Sequence, residues 1–244
     1  MTAVSQRLLS DEVQVTWTVD GDELSGSENT KRIRLEIKKK DGAPIDQFEV
    51  NHEKLLHLIV ISKDLSYFNH IHPEYKGNGV FEIANDFPAG GEYRLIADFK
   101  VAGGDSMTKM VWVKVDGKSA KPAPVMMDTN LNKIFEGKHV KLAMDQPAAG
   151  KELTLKFSFA DAATGQPITD LQPYLGAIGH VVILSQDGEQ YLHVHADEGQ
   201  GTGPDAAFET SFPKSGTYKI WGQFQRENQV ITVSYVVSIP SVQE

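Results

Sequence analysis

The sequence predicts an all-β chain folded as two tandem antiparallel β-sandwich domains, and three observations carry that reading. Apolar residues alternate with period two along most segments, turn residues recur about every ten positions, and the second half of the chain repeats the first.

In the first half Val13, Val15, Trp17 and Val19 alternate with polar neighbours, as do Ile33, Leu35 and Ile37 with Arg34, Glu36 and Lys38. Successive side chains on a strand point to opposite faces, so this pattern marks strands with one face buried. Leu153, Leu155, Phe157 and Phe159 alternate in the same way in the second half, and Ile231, Val233, Tyr235 and Val237 close the chain. Asp20-Gly21, Asp41-Gly42, Gly77-Asn78-Gly79, Gly90-Gly91 and Asp187-Gly188 punctuate these runs with residues that tolerate turn backbone. No stretch carries a long helical stripe. About seven strands in about 115 residues fits a sandwich.

The repeat is direct. Asp41-Gly42-Ala43-Pro44-Ile45 returns 123 positions later as Thr164-Gly165-Gln166-Pro167-Ile168, and His57, His70 and His72 return at the same offset as His180, His193 and His195. Phe87 to Tyr93 corresponds to Phe212 to Tyr218, Phe99 to Phe224, and Trp112 is set opposite Tyr235. Between the copies, Asp116 to Pro124 is polar and bears prolines, a composition that buries little apolar surface. The expected organisation is a domain at 1–118, a linker at 119–125 and a second domain at 126–244. Gly91-x-Tyr93 and Gly216-x-Tyr218 look like the turn into a strand where a tyrosine hydroxyl ties the corner to nearby backbone, which makes both domains immunoglobulin-like.

Composition narrows the function. Lys and Arg number 24 against 33 Asp and Glu, a net charge of −9. That balance argues against nucleic acid or an anionic membrane surface as partner, since both require clustered positive charge. The chain has no cysteine, so thiolate metal sites, disulfides and cysteine nucleophiles are excluded. No apolar run approaches the roughly 18 residues of a membrane span. The segment Met1 to Arg7 lacks the basic and apolar regions of a signal peptide, so the chain reads either as cytoplasmic or as a mature segment after export.

Six of the eight histidines form two copies of one pattern: a His, twelve residues, a second His, one residue, a third His. Leu58 to Ile61 reads as a strand, Ser62 to Ser66 contains a turn, and Tyr67 to His72 reads as the returning strand, so a hairpin sets His57 across from His72 or His70. Opposed Cβ atoms on paired strands lie about 4.5–5.5 Å apart, and residues two apart share a face. Imidazoles so placed can converge on one ion at about 2.0–2.1 Å. Three neutral nitrogens without soft sulfur suit Cu(II) or Zn(II), with Ni(II) also compatible, and the expectation is one Cu(II) or Zn(II) ion per domain. The ligands are His57, His70 and His72 in one copy and His180, His193 and His195 in the other. Phe68 and Tyr191 lie two residues before the middle histidine, where they would wall the site.

A fourth ligand is open among His52, Glu53, Glu74 and Asp197. His52 has no counterpart, since Leu175 stands at its place, and His139 reads as exposed. Met107, Met110, Met126, Met127 and Met144 do not repeat between halves and read as core or linker. Glu74 and Asp197 are the carboxylates at matching places, two residues past His72 and His195. No nucleophile elbow, phosphate loop or Ser/His/Asp arrangement is present, so binding outranks catalysis. Two alternatives stand beside metal binding: a structural or adhesive module whose histidines are hydrogen-bonded, and a three-histidine metal-dependent hydrolase or lyase.

The segment His57 to Glu74, with Tyr174 to His180 and Tyr218 to Phe224, resembles bacterial envelope proteins with YtkA-like and heavy-metal-associated immunoglobulin-like domains. That resemblance implies an extracytoplasmic β-sandwich, exported or lipid-anchored, among copper-handling or envelope functions. Ala196 stands where the first copy has Pro73, so the second loop departs from the first.

Overall fold

A computed structural model of the chain describes residues 9–21, 29–196 and 199–241. The chain divides into two compact units, Met1–Ala123 and Pro124–Glu244. Both are built of antiparallel strands, and the sandwich class holds in each.

In the first unit, β1 (Val13–Gly21), β2 (Thr30–Lys39), β7 (Val80–Asp86) and β6 (Glu74–Gly77) form one sheet in the order β1-β2-β7-β6. The facing sheet contains β3 (Phe48–Glu49), β4 (Leu56–Ser62), β5 (Phe68–Ile71), β8 (Gly91–Val101) and β9 (Ser106–Val115), with β8 flanked by β4 on one side and β9 on the other. Ile33, Leu35 and Ile37 from one sheet meet Leu58, Val60, Leu95 and Phe99 from the other, all buried in one core.

In the second unit, β10 (Asn132–Phe135), β11 (Lys138–Met144), β12 (Glu152–Asp161), β15 (Asp205–Ser211), β14 (Tyr191–Ala196), β13 (His180–Ser185), β16 (Gly216–Arg226) and β17 (Gln229–Ile239) run in that order as one continuous sheet. Continuity comes from β14, whose early residues pair with β13 and whose last two pair with β15. In the first unit the same stretch is split into β5 and β6, one in each sheet.

The two tyrosine corners form as read. Tyr93 donates its hydroxyl to the Ala89 carbonyl at 2.7 Å, and Tyr218 donates to Lys214 at 2.9 Å. A second shared device lies at the hairpin turns. The hydroxyl of Ser62 accepts from the Tyr67 amide at 2.9 Å and donates to Asp64, while Ser185 accepts from the Gln190 amide at 2.8 Å and donates to Asp187.

One alignment is corrected by the register. Trp112 pairs with Arg94, and its true counterpart is Val236, which pairs with Lys219, the residue matching Arg94. Tyr235 faces the core and donates to the Val140 carbonyl at 2.6 Å, whereas Trp112 faces outward under the Arg94 guanidinium, 5.0 Å from its ring centre. A slip of one residue on a strand exchanges faces, which is why the two aromatics are not equivalent. The methionines also divide: Met107 is buried in the core of the first unit, while Met126 and Met127 are exposed at the start of the second.

The turn between β6 and β7 needs glycine at one position. Gly79 has φ +75°, and a Cβ there would lie 2.2 Å from the Ile37 carbonyl oxygen, whose residue accepts and donates in the neighbouring ladder. Gly79→Ala is therefore expected to destabilise the first unit by about 2 kcal/mol or more, read as a lower urea midpoint by far-ultraviolet circular dichroism. An unchanged midpoint would contradict this reading of the turn.

Candidate metal centre

His57 lies on β4 and His70 on β5, in a register that pairs Leu58 with Ile71 and Ile59 with His70. One step further along, that register sets position 72 opposite His57. Alternation along β4 sends Leu56, Leu58 and Val60 into the sandwich core and leaves His57, Ile59 and Ile61 on the other face. His70, opposite Ile59, shares that face. His72 lies just past β5, where the chain leaves one sheet for the other.

The three rings form a near-equilateral triangle. Their centres are 5.2 Å apart for His57 and His70, 5.0 Å for His57 and His72, and 4.8 Å for His70 and His72. A tetrahedral ion with nitrogens at about 2.0–2.1 Å sets imidazole centres roughly 5 Å apart, so the triangle has the size of a three-histidine centre. Both His57 and His70 are buried, at 1% and 8% exposure.

Hydrogen bonding defines the state of His57. Its Nε2 lies 2.9 Å from the Asn51 carbonyl oxygen, which can only accept, so Nε2 carries the hydrogen. Neutral His57 then presents a lone pair at Nδ1, which lies 3.0 Å from His70 Nε2. In this state His70 donates that bond. A histidine whose far nitrogen donates to a backbone carbonyl is oriented as metal-bound histidines usually are.

The carbonyl comes from a turn between Asn51 and Lys54, whose backbones bond reciprocally at 2.8 and 3.1 Å. His52 and Glu53 occupy left-handed backbone there, at φ 47° and 64°. The second unit repeats the turn between Tyr174 and Ala177, with Leu175 at φ 53° and Gly176 at φ 78°. Gly176 was the one sign of this turn available in the sequence.

His72 differs from its neighbours. Its Nε2 is buried with no hydrogen-bond partner among the described residues. Burial above all, with the repulsion that a protonated His57 and Lys54 would exert, pushes its pKa down to about 4, so the ring is neutral over the physiological range. Rotation about χ2 swings the nitrogens of an imidazole while leaving the ring in place, so ring position is the constraint that matters.

The other candidates separate. His52 stands edge-on to His57 at 6.2 Å between ring centres. Glu74 is exposed on β6 and pairs with Lys76 at 2.6 Å, because the strand has by then joined the opposite sheet. Glu53 is exposed in its turn, and Asp197 lies outside the described residues. Phe68 pairs with Ile61 and Tyr191 with Leu184, each on the face of the histidine two residues on. His139 is half-buried on β11, not exposed, because the strand runs between β10 and β12, and its Nδ1 is enclosed with no partner among the described residues.

In the second unit His180 is buried on β13, at 5% exposure. His193 pairs with Val182, as His70 does with Ile59, and His195 pairs with Glu209 after the strand has crossed to β15. The side chains of His193 and His195 lie outside the described residues.

One residue at this face was missed from sequence. Asp98 on β8 pairs with His57, is 5% exposed, and accepts a 2.5 Å hydrogen bond from the Thr108 hydroxyl on β9. An aspartate inside the otherwise apolar stretch Leu95 to Phe99 was the signal available.

Because His72 takes a proton near pH 6.5 when unfolded but near 4 in place, the unfolded chain binds more protons between those values. Stability of the metal-free chain is therefore expected to fall as pH drops from about 6.5 to about 4, with no further loss from this group below. His72→Gln should remove that part of the slope, measured as thermal midpoints across the window, a difference of a few degrees. An unaltered slope would contradict the burial of a neutral ring at this position.

A family model for a domain of unknown function, DUF8832, matches residues 8–117 and again residues 132–241. No curated protein matches the sequence. Among solved structures, the chain is similar to a tetra-tandem repeat in the extending region of a large adhesion protein, at 10% identity and a TM-score of 0.28, covering 93% of this chain and 50% of that one. A two-domain fibronectin type III segment from chicken tenascin is 12% identical with a TM-score of 0.27, covering 91% of this chain and 97% of that one. Domains 4 and 5 of the S-layer protein SbsC are 14% identical with a TM-score of 0.25, covering 94% and 100%. No helix among the described residues is long and apolar enough to cross a membrane. Two successive matches spanning most of the length make this chain a member of the DUF8832 family, carrying its domain twice.

Proposed function

We propose that this protein binds a transition-metal ion, Cu(II) or Zn(II), through the histidines of each unit, and serves in metal sequestration, delivery or tolerance at the cell envelope. The observation that carries the reading is the triangle of imidazoles at His57, His70 and His72, with centres 4.8–5.2 Å apart, His57 and His70 buried and His72 half-buried. Burying an imidazole nitrogen without a partner is costly, and a cation is the partner that would repay His72 Nε2. Oxygen-preferring cations such as Mg²⁺ and Ca²⁺ do not suit an all-nitrogen set. His180, His193 and His195 hold the corresponding positions of the second unit. The likeness of the histidine segments to YtkA-like domains adds to this reading and is the ground for the envelope location.

A structural role is the second reading, favoured by the bonds of His57 to Asn51 and His70. The two diverge under titration. Metal binding predicts uptake of Cu²⁺ or Zn²⁺ by calorimetry, with one ion per chain fewer in the full-length variant carrying His70→Ala and His72→Ala. Ligating histidines must be deprotonated, so uptake should weaken as pH falls below about 6. A folded protein that takes up neither ion would leave the histidines as a hydrogen-bonded scaffold.

A further inference from the structure

We infer that the two units are unequal binders, because the first centre contains a carboxylate where the second has an amide; this rests on the metal reading above. Across the strand pair, His57 opposes Asp98 in the first unit and His180 opposes Gln223 in the second. Both acidic and amide residues are buried, at 5% and 8% exposure. Each reaches a threonine on the next strand: Thr108 donates to Asp98 at 2.5 Å, and the Gln223 amide nitrogen lies 3.3 Å from Thr232. The His–acid–Thr row of one unit is thus a His–amide–Thr row in the other, at the same register.

The charge difference decides the affinity. Opposed positions bring Cβ atoms to about 4.5–5.5 Å, so the Asp98 carboxylate is a neighbour of any ion held at His57 Nδ1. Attraction between a divalent cation and a carboxylate at such range is weakly screened when both are buried. A neutral amide supplies only a dipole. The first unit also carries Lys54, whose charge bears on His72, where the second has Ala177. Lys54 is exposed and screened by solvent, as is Glu209 opposite His195 in the second unit, whereas Asp98 is buried, so the buried carboxylate outweighs both. Asp98 thereby makes the first centre a better home for a divalent ion, either as a ligand or through a water on the ion.

The test uses the full chain and Zn²⁺ alone, in competition with a chromophoric chelator. A parent with His180, His193 and His195 changed to Ala reads the first unit, and a parent with His57, His70 and His72 changed to Ala reads the second. The first parent should bind more tightly, Asp98→Asn should weaken it about 10- to 100-fold, and Asp98→Glu should retain most of the affinity. In the second parent Gln223→Asp should tighten binding at least about ten-fold. Circular dichroism checks each fold, and if Asp98→Asn unfolds, the Gln223→Asp arm decides alone. Zinc uptake that is indifferent to these substitutions overturns the inference and leaves the metal reading standing, whereas no uptake by either parent overturns both.

Discussion

The register of β4 against β5 is the constraint on which the centre depends. Leu56, Leu58 and Val60 enter the sandwich core from alternate positions of β4, and Ile71 enters it from β5. Burial of these side chains, worth about 1.5–3 kcal/mol each, pins the pairing of Leu58 with Ile71. A slip of one residue would send His57 and His70 inward and the leucines outward. The apolar face therefore determines where the polar face falls. The histidines have no need to find one another, because the core places them.

Polar groups buried outside that core then have to be satisfied locally. Asn51 supplies a carbonyl from a left-handed turn, His57 and His70 bond to each other, and Thr108 holds Asp98. Each bond fixes a ring or carboxylate that would otherwise rotate. Among the described residues His72 Nε2 has no hydrogen-bond partner, and its ring is kept neutral first by burial and then by the positive charge of Lys54. A buried ring nitrogen beside two imidazoles, without a partner among the described residues, is the part of the geometry that hydrogen bonding alone does not account for.

Duplication produced two frames with the same turns and corners but different chemistry on one face. The tyrosine corners, the Ser–Asp hairpin turns and the left-handed turns at Asn51–Lys54 and Tyr174–Ala177 recur because they terminate strands. Asp98 and Gln223, or Lys54 and Ala177, differ although Asp98 and Gln223 hold the same place in the strand register and both are buried. Each frame holds its first two histidines at the same register while the charge around them has changed.

Alternation along β1, β2, β12 and β17 was legible in the sequence, as were the repeat, the corners and the three-histidine spacing, because period-two burial and turn chemistry are local. The place of Asp98 was not legible, since β4 and β8 meet only through strand pairing across more than one turn of chain. Glu74 looked close to His72 from two-residue spacing, yet the chain changes sheets between them and takes the carboxylate away. His139 looked exposed and is half-buried between the strands on either side of it in sequence, a placement that appears only once β10, β11 and β12 are paired. The sequence by itself determined which residues belong to strands and which three histidines travel together. Only the tertiary structure decided which carboxylate faces them, because distance across a sheet is set by register and not by separation along the chain.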